Sequence, residues 1–110
     1  MNQYDVYLAD LNPTIGREQQ GRRPVLIISN NYENLLDVVT IIPITSQKEG
    51  RKIYPNELSL QNELHLPSIL LCQQIRTISK KRLVKKLTTI ENTATHKNIL
   101  DVLCMRFESL

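Results

Sequence analysis

An arginine joins a polar, glycine-containing segment to an apolar, β-branched one. Residues 16–22 are glycines with charged or amide side chains and cannot form a packed core, whereas residues 25–29 predict a buried strand. Pro24 fixes its own φ and favours an extended backbone at Arg23. The Arg23 guanidinium is therefore carried by a restricted backbone at the mouth of the strand, where the strand begins. Its planar fork of donors suits a phosphate. We therefore expect an anion site at Arg23.

A pair of hydroxyls lies at the end of a later strand. Residues 38–45 are rich in β-branched side chains and predict a strand that Thr45 and Ser46 close. The interior Pro43 removes one ladder donor and indicates an edge or a bulge.

The sequence lacks the motifs of metal-dependent catalysis. His65 and His96 have no thiol or acidic partner at ligand spacing, so we interpret both as surface residues and expect no metal and no cofactor. Cys72 and Cys104 also lack ligand spacing, and we interpret both as reduced core residues. An enzyme built on this chain would use arginine, hydroxyl and amide groups and at most one carboxylate.

Basic residues fall into three clusters, within residues 17–23, 48–52 and 80–86. Together on one face they would attract a polyanion such as RNA, and apart each would be a solvated surface; charge alone leaves both interpretations open. The length of 110 residues predicts one domain over residues 1–110. Neither a signal peptide nor a membrane-spanning run is evident, so we expect the cytoplasm.

Short strands and one terminal helix must position these groups. We predict strands over residues 4–11, 25–29, 38–45, 56–60, 68–78 and 84–90, a helical turn within 30–36, and another at 80–82 capped by Ser79. The loop from 12 to 22 is long enough to be functional. These elements predict a mainly β fold with a C-terminal helix, a small and partly open barrel. The helix begins at Asn92 or Thr93 and carries apolar residues at helical spacing: Ile99, Leu100, Val102, Leu103, Phe107 and Leu110.

Several segments resemble, in order and spacing, those of the MazF/PemK (Kid) toxin endoribonucleases. The first are residues 5–13 and the block Gly16-x-Glu18-Gln19-x-Gly21-x-Arg23-Pro24. Residues 42–46 and 69–83 match later blocks, so the resemblance spans the whole chain.

The resemblance implies an SH3-like barrel of the MazF/PemK/CcdB kind, a homodimer, and a cognate antitoxin whose tail fills the RNA groove. It also implies metal-independent cleavage of single-stranded RNA, in which a 2′-hydroxyl attacks phosphorus and leaves a 2′,3′-cyclic phosphate and a 5′-hydroxyl. The catalytic pair of the family maps onto Arg23 and Thr45. Expected RNA-binding residues are Arg17, Gln19, Ser46, Lys48, Arg51, Lys52, Gln74 and Arg76. For Gln19 and Gln74, the alternative is that they satisfy backbone groups at strand ends.

The chain departs from the family pattern at the general base. Several relatives carry Asp or Glu where this chain has Gln73, and the Kid-like branch has an arginine where it has Leu71. Glu18 is the nearest motif carboxylate and a possible base, with a solvated loop glutamate as the alternative. Two other functions stay open: a non-catalytic binder on the same barrel, such as a CcdB-like gyrase inhibitor, and a generic RNA-binding barrel.

Overall fold

The computed structural model describes residues 1–12, 16 and 21–109. Within them the chain forms seven strands, three short 3₁₀ turns and one α-helix. The strands are β1 (Asp5–Asp10), β2 (Arg22–Ile27), β3 (Val38–Ser46), β4 (Leu58–Leu60), β5 (Ser68–Leu70), β6 (Arg76–Ser79) and β7 (Leu83–Thr89). The 3₁₀ turns are Glu33–Leu35, Cys72–Gln74 and Lys80–Arg82, and the helix α1 is Thr93–Met105. Across the same residues, no helix is long and apolar enough to cross a membrane.

The strands form one antiparallel sheet in the order β4-β5-β3-β2-β1-β7, with β6 paired to β3 as well. No pairing among the described residues joins β4 to β7, so the sheet does not close into a complete barrel. The predicted fold class, mainly β with a C-terminal helix, is confirmed.

Strand β3 is the centre of the sheet and changes partner along its length. Its first half pairs with β6 through Val38–Ile41, and its second half pairs with β5 through Ile44–Ser46. Pro43 lies between the two halves and pairs with Val25 of β2 on the other side. Proline has no N–H to donate, and at Pro43 neither β5 nor β6 pairs with β3, so no ladder hydrogen bond is lost. The Pro43 carbonyl accepts a hydrogen bond of 2.9 Å from the Leu71 N–H. Pro43 thus lies on an interior strand, at a change of partner.

The predicted single strand over residues 68–78 is wrong, because the 3₁₀ turn Cys72–Gln74 interrupts it. Both flanking strands pair with β3, Ile69 opposite Thr45 and Thr77 opposite Thr40. Relative to β3, the pairing of β6 is shifted by three residues from the pairing of β5. The three-residue turn Cys72–Gln74 accommodates this shift. Gln73 and Gln74 therefore do not alternate between the two faces of a sheet as they would in a continuous strand.

Apolar side chains pack on both faces of the sheet. Ile42 and Ile44 of β3 are buried in a cluster that includes Ile99 of α1. Val39 and Ile41, which alternate with them, belong to a second cluster on the opposite face. Both faces of the central strand are thus covered up to Ile44, the residue before Thr45.

Helix α1 begins as predicted, since the Asn92 side chain accepts hydrogen bonds from the N–H groups of Ala94 and Thr95. Ile99 is buried and Val102 and Leu103 are half-buried against the sheet. In contrast, Leu100 and Phe107 are exposed, and Phe107 lies beyond the end of the helix. Leu110 lies outside the described residues.

The expectations for cysteine and histidine are confirmed in part. Cys72 is buried, but Cys104 is exposed because it lies off the apolar stripe of α1. His65 is exposed, but His96 is half-buried and stacks on Tyr4 with ring centroids 3.5 Å apart. A core role for Cys104 and a surface role for His96 are therefore both wrong.

Candidate active site

Arg23 lies inside a strand and not at its mouth, because β2 begins at Arg22, three residues earlier than predicted. The Arg23 backbone pairs with Ala9 of β1, while its side chain is exposed. Just before it, Gly21 has a φ of +75°, which favours glycine, and its carbonyl accepts a 2.9 Å hydrogen bond from the Leu11 N–H. The backbone at and just before Arg23 is therefore anchored to β1 and to Leu11, the residue that follows β1.

The register of β2 and β3 relates the two predicted catalytic residues. Val25 pairs with Pro43 and Ile27 with Ile41. The pairing ends at Val25 and Pro43. Arg23 and Thr45 each lie two residues beyond it, so alternation directs them to the same face of their strands as Val25 and Pro43.

Thr45 also lines a polar cavity of about 290 Å³ at the end of β3. Its other lining residues are Ser46, Lys48, Arg51, Glu57, Leu71, Gln73 and Gln74. Two of these residues are cations and most of the rest are polar, as a site for an anionic ligand requires.

The structure thus brings together five of the predicted residues: Thr45, Ser46, Lys48, Arg51 and Gln74. Arg76 lies on β6 opposite Ile41, and so on the face of β3 that carries Thr45. Three further predicted residues lie outside the described residues: Arg17, Gln19 and the possible base Glu18.

An aromatic ring stands beside the cations of residues 51 and 52. Tyr54 is 53% exposed, with the Arg51 guanidinium 6.0 Å and the Lys52 ammonium 5.7 Å from its ring centroid. An exposed ring flanked by cations can stack on a nucleobase whose phosphate the cations hold. Lys52, which does not line the cavity, is thereby placed near it.

Glu57 is the residue that sequence reasoning missed. Its carboxylate is almost fully buried and accepts hydrogen bonds of 2.8 and 3.0 Å from the two terminal nitrogens of Arg51. It also accepts bonds of 3.1 Å from the Tyr54 N–H and from the Gln73 amide. A single glutamate before a short strand carries no spacing signal for such burial, although the preceding Pro55-Asn56 pair is typical of the turn that brings Glu57 back to Tyr54.

The pKa of Glu57 is lowered from 4.5 to about 2, chiefly by hydrogen bonds from Arg51, which outweigh the opposing effect of burial. A lowered folded-state pKa stabilises the fold above the unfolded value, and this stabilisation is lost as pH falls from about 4.5 towards 2. We therefore predict that the gap in melting temperature between the wild type and Glu57→Gln narrows over that range. Thermal melts from pH 7 to pH 2.5 test this, and a constant gap would contradict it.

Ionised Glu57 also fixes the orientation of the Gln73 amide. A carboxylate only accepts hydrogen bonds, so Gln73 must present its NH₂ group to it. The amide oxygen of Gln73 is then left buried, with no hydrogen-bond partner among the described residues. Because an amide does not take up a proton at neutral pH, Gln73 cannot act as a general base.

The third basic cluster makes structural contacts instead. The Lys80 ammonium donates to the Asn34 carbonyl, and Lys86 lies 3.5 Å from the buried Asp5 carboxylate. Arg82 donates to the Asp10 carbonyl at 3.2 Å, beside the long loop. Among the described members of the three clusters, those that line the cavity are Lys48 and Arg51.

The other candidate chemistries are poorly supported within the described residues. A larger cavity of about 450 Å³ is mostly apolar and includes Pro24 and Ile44, which alternate with Arg23 and Thr45 along their strands. Burial raises the pKa of the Cys72 thiol to about 11, which disfavours a thiolate nucleophile. No cluster of His, Cys, Asp or Glu that could hold a metal occurs among residues 1–12, 16 and 21–109.

Fold and cavity together define a class: a small, mainly antiparallel β protein with a terminal helix and a cationic cavity at the end of its central strand. Solved structures share this fold. MazF (form I) from Deinococcus radiodurans superposes with a TM-score of 0.80 at 23% identity, over 96% of this chain and 94% of that one. An endoribonuclease in complex with its cognate antitoxin, from a mycobacterial species, gives 0.79 at 23% identity, over 100% and 99%.

The sequence itself matches a family over residues 2–104, described as PemK-like, MazF-like toxin of type II toxin-antitoxin system. The chain therefore belongs to the PemK/MazF toxin family, as its motifs indicated.

Proposed function

We propose that this protein is a metal-independent endoribonuclease that cleaves single-stranded mRNA as the toxin of a type II toxin-antitoxin system. The observation that supports the proposal is the position of Thr45 in the wall of a cationic cavity, with Arg23 and Thr45 each two residues beyond the end of the β2–β3 pairing. Membership of the toxin family supports it. Its substrate would be met in the cytoplasm.

In the proposed reaction, the 2′-hydroxyl next to the scissile phosphate attacks phosphorus in line. The Arg23 guanidinium stabilises the negative charge that develops on the equatorial oxygens, and the Thr45 hydroxyl donates to one of them. The P–O5′ bond breaks, the 5′-oxygen takes up a proton, and the other product ends in a 2′,3′-cyclic phosphate. Glu18 is the candidate that takes the 2′-hydroxyl proton.

The phosphates on either side of the cut would lie against Lys48, Arg51 and Lys52. Tyr54 offers a flanking base a stacking surface, and Ser46 and Gln74 offer hydrogen bonds. Arg76, Arg17 and Gln19 complete the proposed RNA-binding set.

Incubation of the purified protein with a long single-stranded RNA in EDTA tests the proposal. Cleavage in EDTA, with new 5′ ends that a polynucleotide kinase labels without prior phosphatase treatment, is the expected result. A DNA of the same sequence should stay intact, because it lacks the attacking hydroxyl. Retention of RNA without cleavage would instead indicate a binding protein, and sequencing of the new ends gives the cleavage motif.

We predict that the protein is a homodimer held partly by α1 and by residues 68–78. Leu100, Met105 and Phe107 are exposed by 44%, 46% and 77%, a larger apolar surface than a monomer usually leaves on one helix end. Sedimentation velocity at micromolar concentration should show a dimer that Leu100→Glu dissociates. The exposed Lys97→Glu on the same helix should leave it intact, and a monomeric wild type would contradict the prediction.

We also predict a cognate antitoxin with an acidic, partly disordered segment that occupies the cationic cavity. The mycobacterial structure shows that relative with its own antitoxin. Because a ligand of the folded state alone stabilises it, the antitoxin should raise the melting temperature and stop cleavage together. Arg51→Ala removes one of the two cations of the cavity. If the antitoxin bound this variant with full affinity, that would argue for binding on another face.

A further inference from the structure

We propose that Glu57 is a positioning residue for RNA: its buried carboxylate holds the Arg51 guanidinium at the wall of the Thr45 cavity as a fixed contact for a phosphate. This inference deepens the proposed nuclease function and rests on it. Neither the fold nor the family motifs above assign any role to Glu57.

The geometry of the pair is that of a clamp. Two hydrogen bonds of 2.8 and 3.0 Å join the two terminal nitrogens of Arg51 to the two oxygens of Glu57, which fixes the plane of the guanidinium as well as its position. Arg51 donates further to the Lys52 carbonyl. A long side chain on a glycine-containing segment, residues 48–52, would otherwise sample many rotamers.

Glu57 itself is saturated. Each of its oxygens accepts two hydrogen bonds, from Arg51 and the Tyr54 N–H on one side and from Arg51 and Gln73 on the other. A carboxylate with all its acceptor positions occupied has no free lone pair for the 2′-hydroxyl proton. Glu57 therefore acts through Arg51, and the general base is another group.

Arg51 keeps donors for a ligand. Its three hydrogen bonds to described residues use three of the five N–H groups of a guanidinium, and its side chain is 30% exposed while that of Glu57 is 2% exposed. The remaining donors can reach a phosphate oxygen in the cavity. This asymmetry, with a buried anion behind a partly exposed cation, is what an oriented phosphate contact needs.

The charge of Glu57 also has a testable effect on RNA binding. A buried carboxylate in a cavity that receives phosphates would repel them if Arg51 did not neutralise it. Removal of Arg51 should therefore weaken RNA binding twice, through the lost contact and through the exposed negative charge. Removal of the charge at Glu57 in the same protein should restore part of the binding.

The experiment measures cleavage and binding separately in Glu57→Gln, Arg51→Ala, Arg51→Lys and the double variant Arg51→Ala/Glu57→Gln. Asp101→Asn is the matched control, because it removes a carboxylate from the exposed Lys97–Asp101 pair, whose N–O distance is 2.9 Å. Binding is measured with an RNA of the mapped cleavage sequence that carries a 2′-deoxy sugar at the cut site, and melting curves verify folding.

For Glu57→Gln we expect kcat to fall about 10-fold, with the affinity for the deoxy-substituted RNA within about threefold of wild type, because Arg51 keeps its charge and loses its position. Arg51→Lys should likewise lower kcat with little change in affinity. It therefore keeps the test decisive if Glu57→Gln folds poorly. Arg51→Ala should weaken RNA binding about 10-fold, and the double variant should bind at least about threefold more tightly than Arg51→Ala.

Two results would overturn the inference: wild-type kcat in both Glu57→Gln and Arg51→Lys, or a double variant that binds no better than Arg51→Ala. Either would leave Glu57 as a structural clamp of residues 51–57. A wild type that binds the long single-stranded RNA but never cleaves it would instead refute the nuclease function, and binding of that same RNA by the four variants would still decide whether Glu57 and Arg51 act as a pair.

Discussion

Replacement of Arg23 by alanine is expected to lower RNA cleavage by roughly 100- to 1,000-fold while the protein stays folded. Loss of one preorganised donor to a developing oxyanion typically costs this much, and Arg23 is the donor that we propose for this role, two residues beyond the β2–β3 pairing as Thr45 is. Single-turnover cleavage of a mapped RNA site measures the effect. Arg23→Lys should also be poor, because an ammonium cannot reproduce a planar, two-pronged contact with phosphate.

The fold should tolerate the change because it depends on the Arg23 backbone and not on its side chain. The backbone pairs with Ala9, the side chain is exposed, and the next residue but one, Val25, is fully buried. Arg22→Ala is the matched control: it removes the same charge one residue earlier, where alternation directs the side chain to the other face of β2. Cleavage by a folded Arg23→Ala at near the Arg22→Ala rate would refute the assignment.

The sequence predicted those parts of the fold that depend on local patterns. The β-branched run of β3 is a signal of composition, whereas the cap at Asn92 and the Ser79-capped turn each involve a local hydrogen bond, and all three elements are present. Residue spacing could not predict the 3₁₀ turn within residues 68–78. That turn exists because two strands share β3 at registers three residues apart, which is a property of the assembled sheet.

The candidate site shows the same division. Arg23 and Thr45 were proposed from motifs, but their relative placement depends on the pairing of two strands that are separated by a loop and a 3₁₀ turn. Glu57 could not be found at all, since its burial depends on Arg51, six residues earlier, and on Gln73, sixteen residues later. Non-local partners decide whether a glutamate is a solvated side chain or a buried one, and no periodicity encodes them.

Thr45→Val is expected to give the second large loss, roughly 10- to 150-fold in cleavage, since a hydrogen bond to a charged group is worth about 1.5–3 kcal/mol. Valine keeps the shape and β-branching of threonine, so the pairing of residue 45 with Ile69 should persist. Thr45→Ser keeps the hydroxyl and should retain most of the activity, which separates loss of the donor from loss of the methyl group.

The matched control for this hydroxyl lies on the same strand. Thr40→Val also replaces a hydroxyl by a methyl group, but Thr40 alternates to the other face of β3, where its hydroxyl contacts that of Thr77 at 3.1 Å. Thr40→Val should cleave RNA within about threefold of the wild-type rate, because the Thr40 hydroxyl makes no contact with the proposed transition state. If Thr45→Val cleaves as fast as Thr40→Val, the Thr45 hydroxyl takes no part in the reaction. Arg23 would then have to stabilise the phosphorane oxygens with help from another donor of the cavity, and Ser46 is the next hydroxyl to test.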